Sequence, residues 1–541
     1  LTGGQALVQQ LKREGIDTVF GLPGVQMDFA FDALYEERDH IRLIHTRHEQ
    51  ACAYMADGYA RATGRIGAFI VVPGPGLLNA SAALSTAYAC GSPVLCITGQ
   101  IHSSLIGQGR GVLHEINDQI GTIASVTKWQ ARALTPAEIP GIVHEAMHQL
   151  TTGRRRPVEI EIPPNVLEAT GDVTLLDATT YERGAPDPEL IDRAAQALGR
   201  AKRPLIFAGG GILGAEAWAE LQRLAETLEA PVIMSSNGKG ALSDRSYLAH
   251  GLRSINDLAP DADVILFAGT RAVTSIGGVF QLPAWINETK TLIKLDIDAD
   301  EIARNFTPTI GIVGDAKLGL ASLAERVERY NEKRPSRREE LTSLKQELAE
   351  FAASQRPQAD FGLAIRAELP DDGVFVQEST QVGYWSSAAF PAYEPRTYLT
   401  SGYQGTLGYG FATALGAQVG LPDRKVVSIN GDGGFFYNVQ ELSTMVQQRI
   451  PLTAIVFNDN AYGNVLRIQE NRFAGHTIGS RLHNPDMLKL AEAYGVEGRR
   501  ATTPEELRAV LRDVFSRNDP VLIEVPVGPM PQMQARPPRA T

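Results

Sequence analysis

Short β-branched apolar runs alternate with amphipathic stretches along most of the chain. The runs cover residues 68–72, 94–98, 158–162, 205–208, 232–234, 264–268, 292–296, 374–377, 426–429, 452–457 and 521–525. Helical periodicity lies between them, as over 50–63 and 215–228. A strand followed by a helix and another strand is the pattern of a parallel sheet, because parallel strands need a crossover long enough to cover the sheet face. The expected fold is α/β.

The alternation breaks in two places. Residues 167–187 show no period, and residues 325–350 are densely charged with Pro335 inside a helical pattern. Both read as connections. They leave three doubly wound parallel-sheet domains at 1–166, 188–332 and 356–530. The Pro-rich end, PMPQMQARPPRAT, reads as a tail that is mobile or draped over a surface.

Composition narrows the function. Of 541 residues, 43% are hydrophobic and 21% charged, which is ordinary globular usage with enough chain for several cores. The net charge of -11 argues against a nucleic-acid surface and against an anionic-membrane binder, while leaving room for a local anion site. No run reaches the roughly 18 apolar residues of a membrane span. The first ten residues read as a helix start, not a signal peptide, and the missing Met as a trimmed start. Cys52, Cys90 and Cys96 form no C-x-x-C pair and lie in apolar context, so they read as core thiols of a cytoplasmic protein.

Two glycine-rich turns invite a ligand. GGGILG at 209–214 follows a strand and precedes a helix, matching the dinucleotide fingerprint. That fingerprint needs an acid about 20 residues on to hold a ribose. The sequence there reads VIMSSNG, with Ser235 and Ser236 and no acid. A turn permitting close helix–strand packing is the better reading, and a hydride-transferring enzyme is disfavoured.

The second turn is SINGDGGFFYN. A charged Asp432 at the end of a buried strand needs a partner, since an isolated buried charge is very costly. The next strand ends in NDNAYG at 458–463, which would bring Asn458 and Asp459 beside Asp432 at the carboxyl edge, where ligands bind open α/β sheets. Two oxygen side chains and a loop carbonyl are a partial shell for Mg²⁺, which leaves other positions to phosphate and water. Gly431, Gly433 and Gly434 would let backbone N–H groups approach a phosphate.

With these residues in place, the sequence resembles the thiamine-diphosphate (ThDP) enzymes, and among them the acetolactate-synthase type. GDG followed by ND is similar to their diphosphate–Mg²⁺ motif. RHEQACAYMADGYARATGR, VVPGPGLLNASAAL, SPVLCITGQ, LTSGYQGTLGYGFATALGAQVG and LIKLDIDADEIARNFTPTIGIVGDAK resemble family segments in their family order over nearly the whole chain. The resemblance implies ThDP and Mg²⁺ as cofactors. It implies Glu49 as the acid that activates the cofactor's aminopyrimidine, with burial raising its pKa. Gly405 (carbonyl) and Leu407 (N–H) would hold the pyrimidine edge, with the Leu407 side chain bending the cofactor. Thr380 and Gln381 would touch the diphosphate, where Val382 replaces a usual histidine. Asp432, Asp459 and the Ala461 carbonyl would bind the metal, and Tyr462 and Gly463 complete that loop. Asp459 departs from the family's asparagine and adds negative charge. Since Glu49 and Asp432 lie in different blocks, the family's site forms between two chains, which implies a homodimer at least and fits a tetramer.

The specificity positions depart from acetolactate synthase. Ser275 stands at an arginine position, Ile468 at a tryptophan, and His114-Glu115 where Phe-Gln is usual; the usual PGG becomes PGVQ, which would put Val25 and Gln26 over the thiazolium. Gln26, His114 and Glu115 would form a polar, catalytic pocket in which His114 could shuttle protons near neutral pH. The middle block keeps Arg271 and the 209–211 turn of an FAD-binding pattern, so FAD stays open though the chemistry does not need it. The expected function is a carbon–carbon lyase or carboligase acting on a 2-oxo acid or 1,2-dicarbonyl compound. A diketone-cleaving hydrolase and a simple 2-oxo acid decarboxylase are the alternatives within the family; a non-catalytic nucleotide-binding relative is the alternative outside it.

Overall fold

In the computed structural model, residues 1–272, 283–534 and 536 are described. They build three parallel sheets distributed over two compact units. The first unit comprises Leu1–Tyr181, Val374–Thr380 and Ser401–Pro529; the second holds Glu182–Gly373, Gln381–Thr400 and the described part of the tail from Met530.

Two sheets lie in the first unit. One runs, in spatial order, Arg42–His45, Thr18–Gly21, Gly67–Val71, Val94–Gly99, Val158–Ile162 and Trp129–Arg132. The other includes Val374–Gln377, Val426–Gly431, Thr453–Asn458, Val521–Pro526 and Glu497–Arg500, again in spatial order. Central strands such as Val94–Gly99 and Val426–Gly431 are buried over nearly their whole length, as expected when helices cover both faces. The two sheets meet through helices Glu49–Thr63 and Tyr409–Gly420. A Cβ on Gly58 would sit 1.9 Å from the Thr413 carbonyl oxygen, and one on Gly416 would sit 1.9 Å from that of Met55. Only glycine permits this crossing. It joins the first and third sequence blocks within one chain, a packing that no local pattern announced.

The second unit is built on Ile310–Val313, Thr291–Asp296, Val264–Ala268, Pro204–Ala208, Val232–Met234 and Ala249–Gly251, in that order. Its core is a single apolar cluster that includes Leu205, Phe207, Leu224, Ile265 and Leu323. The expected helix over 215–228 is split into Gly210–Ala215 and Trp218–Leu228, with Glu216 left-handed between them (φ 58°). The charged stretch separates into Ala316–Val327 and Arg338–Ala353, with Pro335 in the break. The tail is tied down: Gln358 donates to the Pro531 carbonyl, and Arg536 pairs with Asp257 at 2.7 Å.

All three cysteines are free thiols; Cys52 and Cys96 are buried and Cys90 half-buried. No helix among the described residues is long and apolar enough to cross a membrane.

Candidate active site

Parallel pairing sets the register of the third sheet's carboxyl edge. Gly431 lies opposite Phe457, so the residues that follow, Asp432 on one side and Asn458-Asp459 on the other, emerge together. Asp432 is almost fully buried and Asp459 half-buried. The two carboxyls are hydrogen-bonded to one another. Burial first, and then the Asp432 charge, pushes Asp459 up to about 6. Burial also raises Asp432, opposed by Asn484, by the Gly433 N–H and by Asp459, so both carboxyls are less acidic than in water. Asn484 bridges the pair's surroundings: its Nδ2 donates to Asp432 Oδ2 at 2.6 Å and to Asn458 Oδ1 at 3.0 Å. The Ala461 N–H donates to Asp459 Oδ1 at 3.2 Å, and Asn458 is held from behind by Glu524 at 2.9 Å.

The loop glycines are close-packed. A Cβ on Gly433 would meet the Tyr462 ring at 2.6 Å, one on Gly434 the Glu378 carboxyl at 2.3 Å, and one on Gly463 the Asp459 carboxyl at 2.5 Å. Gly431 is open, with only Thr380 Cγ2 near at 3.5 Å. Gly433, Tyr462, Leu482 and Asn484 are among the residues lining a cleft of about 250 Å³. Thr380 thus lies over the turn, whereas Gln381 begins a helix of the second unit. Gly405 has φ 58° and Gly408 φ 82°, and half-buried Leu407 stands between them.

On the first sheet, Glu49 opens the helix Glu49–Thr63, whose cap is His48; the His48 Nδ1 accepts from the Gln50 N–H at 3.2 Å. The Glu49 Oε2 accepts from Asn79 at 3.0 Å, and its Oε1 lies 3.6 Å from where a Gly76 Cβ would be. Gln26 and His114 meet: His114 Nδ1 is 2.6 Å from Gln26 Oε1, and Gln26 Nε2 donates to the Leu113 carbonyl at 2.9 Å. His114 takes a left-handed backbone (φ 67°), which brings its carbonyl within 2.3 Å of where a Gly74 Cβ would be. Glu115 is used differently. Against the slight desolvation of the loop, backbone N–H groups of Val112, Gly111, Arg110 and Gly109 hold its carboxyl below the usual range. Its oxygens accept from Gly111 at 2.6 Å and Val112 at 3.1 Å, so it shapes the loop that carries His114.

Several site residues had no signal in the sequence. Glu441 is fully buried and accepts the Arg47 N–H on both carboxyl oxygens at 3.1 Å, fixing the entry to the Glu49 helix. Gln119 accepts the Gly74 N–H at 2.9 Å and donates to Glu161 at 2.7 Å, holding the loop beside Glu49. Asn484 and Glu378 belong to the same class. Each is a lone polar residue whose partner is distant in sequence. Ile468 is 39% exposed on the helix Gly463–Arg472. Ser275 lies outside the described residues.

The residues present fit a dication and a diphosphate. Two carboxylates held together, with burial and like charge disfavouring ionisation of both, are a natural seat for Mg²⁺, which would offset that charge. Among the described residues no group of three or more His, Cys, Asp or Glu side chains could hold an ion. The shell would therefore draw on carbonyl, amide and phosphate oxygens, which is the hard-oxygen set that Mg²⁺ prefers. Gly431 leaves open space beside it.

The 209–214 turn of the second unit carries none of this. A Cβ on Gly209 would lie 2.2 Å from the Gly269 carbonyl oxygen, and one on Gly211 2.7 Å from the Gly269 Cα. Ser235 accepts from the Gly238 N–H at 3.1 Å, capping its own turn. These glycines serve backbone packing.

Sequence comparisons agree with the geometry. Residues 1–122 match the N-terminal TPP binding domain of thiamine pyrophosphate enzymes, 191–323 their central domain and 378–525 their C-terminal TPP binding domain. A probable acetolactate synthase large subunit of Methanocaldococcus jannaschii is 34% identical over 565 residues, covering 99% of this chain and 94% of its own. A probable 2-ketoarginine decarboxylase of Pseudomonas aeruginosa is 35% identical over 536 residues, covering 97% and 94%. The acetolactate synthase large subunit of Haemophilus influenzae is 32% identical over 551 residues, covering 97% and 94%. FAD gains no support from these matches. Three domain matches in family order, and relatives aligned over nearly their full length, establish that the chain belongs to the thiamine-diphosphate enzyme family, with strong similarity to acetolactate synthase large subunits.

Proposed function

We propose that this protein is a ThDP- and Mg²⁺-dependent lyase or carboligase that breaks or makes the bond next to the carbonyl of a 2-oxo acid. The observation that carries the reading is the juxtaposition of the Asp432 and Asp459 carboxyls at adjacent strand ends. Asp432, Asp459 and the Ala461 carbonyl would hold Mg²⁺, Thr380 and Gly431–Gly434 would bind the diphosphate, and Tyr462 and Gly463 would complete the loop. Gly405 and Leu407 hold the aminopyrimidine, and Glu49 of a second chain keeps a proton at its far nitrogen. The active form is thus a homodimer or a tetramer built from dimers. When bound, ThDP would supply a carbon nucleophile for chemistry at the 2-oxo group; the protein's own residues would orient it and move protons.

Thiazolium-proton exchange with deuterium tests the reading. Glu49→Gln keeps the shape but cannot transfer a proton. Exchange should slow by ~10²–10⁴ with ThDP affinity retained. Unchanged exchange removes Glu49 from the mechanism. Wild-type protein that fails to accelerate exchange at all would make the chain a non-catalytic relative.

The Gln26–His114 hydrogen bond favours decarboxylation over acetolactate formation. A histidine held there can return a proton where a synthase would admit a second 2-oxo acid. Gln26 and His114 are the pocket residues in this reading; Glu115 sets their loop. The similarity to a probable 2-ketoarginine decarboxylase fits this second reading. A panel of 2-oxo acids, 2-ketoarginine included, assayed for CO₂ release should outpace acetolactate production from pyruvate. Vigorous acetolactate formation would return the chain to the synthase reading.

A further inference from the structure

The turn that would hold the aminopyrimidine is fastened at one peptide from both ends. Gly408 is left-handed, and a Cβ on it would meet the Tyr437 Cβ at 2.6 Å, so only glycine fits. Its N–H donates to Glu378 Oε1 at 2.6 Å. Its carbonyl accepts from Asn438 Nδ2 at 2.7 Å. Both side chains are buried, Glu378 at 2% exposure and Asn438 at 0%. They come from different elements: Glu378 follows the strand Val374–Gln377, and Asn438 follows the short helix Asp432–Phe435.

Glu378 is itself immobilised. Its carbonyl accepts from Gln377 Nε2 at 2.9 Å and from the Thr380 N–H at 2.8 Å. Its carboxyl occupies the space that Gly434 leaves by having no side chain. One buried acid therefore touches the turn at 405–408 and the turn at 431–434. Glu378 Oε2, Asn430 Oδ1 and Asn438 Oδ1 are buried with no hydrogen-bond partner among the described residues. An ionised carboxylate oxygen buried without a donor would be costly. Burial, opposed only by the Gly408 and Tyr409 N–H groups, pushes Glu378 up to about 8, so near neutrality it is chiefly the neutral acid.

The geometry points to Glu378 as a positioning residue that, with Asn438, clamps the Gly408 peptide and so aims the Gly405 carbonyl and Leu407 N–H at the aminopyrimidine. This rests on the assignment of that turn to the cofactor. Glu378 acts through the backbone and touches no reacting atom. A neutral isostere should do its work: glutamine keeps an oxygen for the Gly408 N–H and an N–H₂ where the acid has its proton.

The test is ThDP binding to the full chain in Mg²⁺, measured by calorimetry, beside binding of inorganic diphosphate with Mg²⁺. Glu378→Ala should weaken ThDP about 10–100-fold, the usual loss when a supporting hydrogen-bond partner is removed. Diphosphate affinity should stay near wild type, because the metal turn remains. Glu378→Gln should restore ThDP affinity, and deuterium uptake of the peptide containing Gly408 should rise only in the alanine variant. Should Glu378→Ala fail to fold, Asn438→Ala removes the other half of the clamp and carries the same expectation. The clamp is overturned if either alanine variant binds ThDP like wild type, if diphosphate and ThDP weaken in parallel, or if glutamine is as defective as alanine. A wild-type protein that binds no ThDP would remove the cofactor reading and this inference together; wild-type binding with an unaffected alanine variant removes the clamp alone.

Discussion

Two glycine-rich turns follow buried parallel strands in this chain, and they do opposite things. At 431–434 the glycines crowd against Tyr462 and Glu378, and the one polar residue among them, Asp432, faces a second carboxyl across the adjacent strand. At 209–214 Gly209 and Gly211 face the backbone of Gly269, and at the end of the neighbouring strand Val232–Met234 Ser235 caps its own turn. A glycine motif alone says only that two segments approach closely. What approaches decides the function: in one turn a like-charged pair that calls for a cation, in the other a second peptide.

The comparison breaks most visibly at Asp432. Asp432→Ala should lower ThDP retention in Mg²⁺ by ~10² or more, since a direct ligand matters at least as much as an outer-shell partner. Chelating the metal from wild type should release ThDP similarly. Equilibrium dialysis that finds the variant as well loaded as wild type would leave the metal assignment without support.

Asn484 should matter less. Asn484→Ala removes the donor to Asp432 and Asn458, and should weaken Mg²⁺-dependent ThDP binding about tenfold. A titration of ThDP at fixed Mg²⁺ measures it; an unchanged affinity would reduce Asn484 to a loop residue.

The acid beside the first turn gives a pH dependence. Glu378 has its folded pKa raised from 4.5 to about 8. The folded state therefore holds a proton that the unfolded chain has lost, and stability from this group is present in full below about 4.5 and is lost as pH rises through about 8. The apparent Tm of wild type should fall between these limits more steeply than that of Glu378→Gln, which has no proton to lose. Parallel curves in differential scanning calorimetry would show that the carboxyl is ionised in both states.

The second turn should respond through stability alone. Gly209→Ala pushes a Cβ onto the Gly269 carbonyl and should cost about 1–3 kcal/mol, with ThDP affinity unchanged. NADH should show no micromolar binding there by fluorescence, since no ribose-binding acid follows. Saturable NADH binding that Gly209→Ala abolishes would put the two turns in the same class after all.

Sequence periodicity alone located the buried strands, because a strand covered on both faces must be apolar along its whole length. Val232–Met234 and Val264–Ala268 have the expected bounds; so do Val158–Ile162 and Val374–Gln377, although these bury Glu159, Glu161 and Gln377. Strands such as Arg42–His45, Trp129–Arg132 and Glu497–Arg500 were not legible, since they sit at or near sheet edges and carry polar residues. Among site residues, Asp432 and Asp459 could be paired from spacing, because adjacent parallel strands bring their carboxyl ends together. Glu49 needed family resemblance, because a glutamate opening a helix is ordinary by itself. Tertiary structure alone decided the rest: that Glu441 grips the entry to the Glu49 helix, that Asn484 bridges Asp432 and Asn458, that Glu378 and Asn438 hold one glycine peptide, and that Gly58 and Gly416 let two helices cross. Hydrophobic periodicity is local and can be read along the chain. A buried polar group is satisfied by whatever the fold brings to it, often from hundreds of residues away, and a single Glu or Asn carries no mark of that partner.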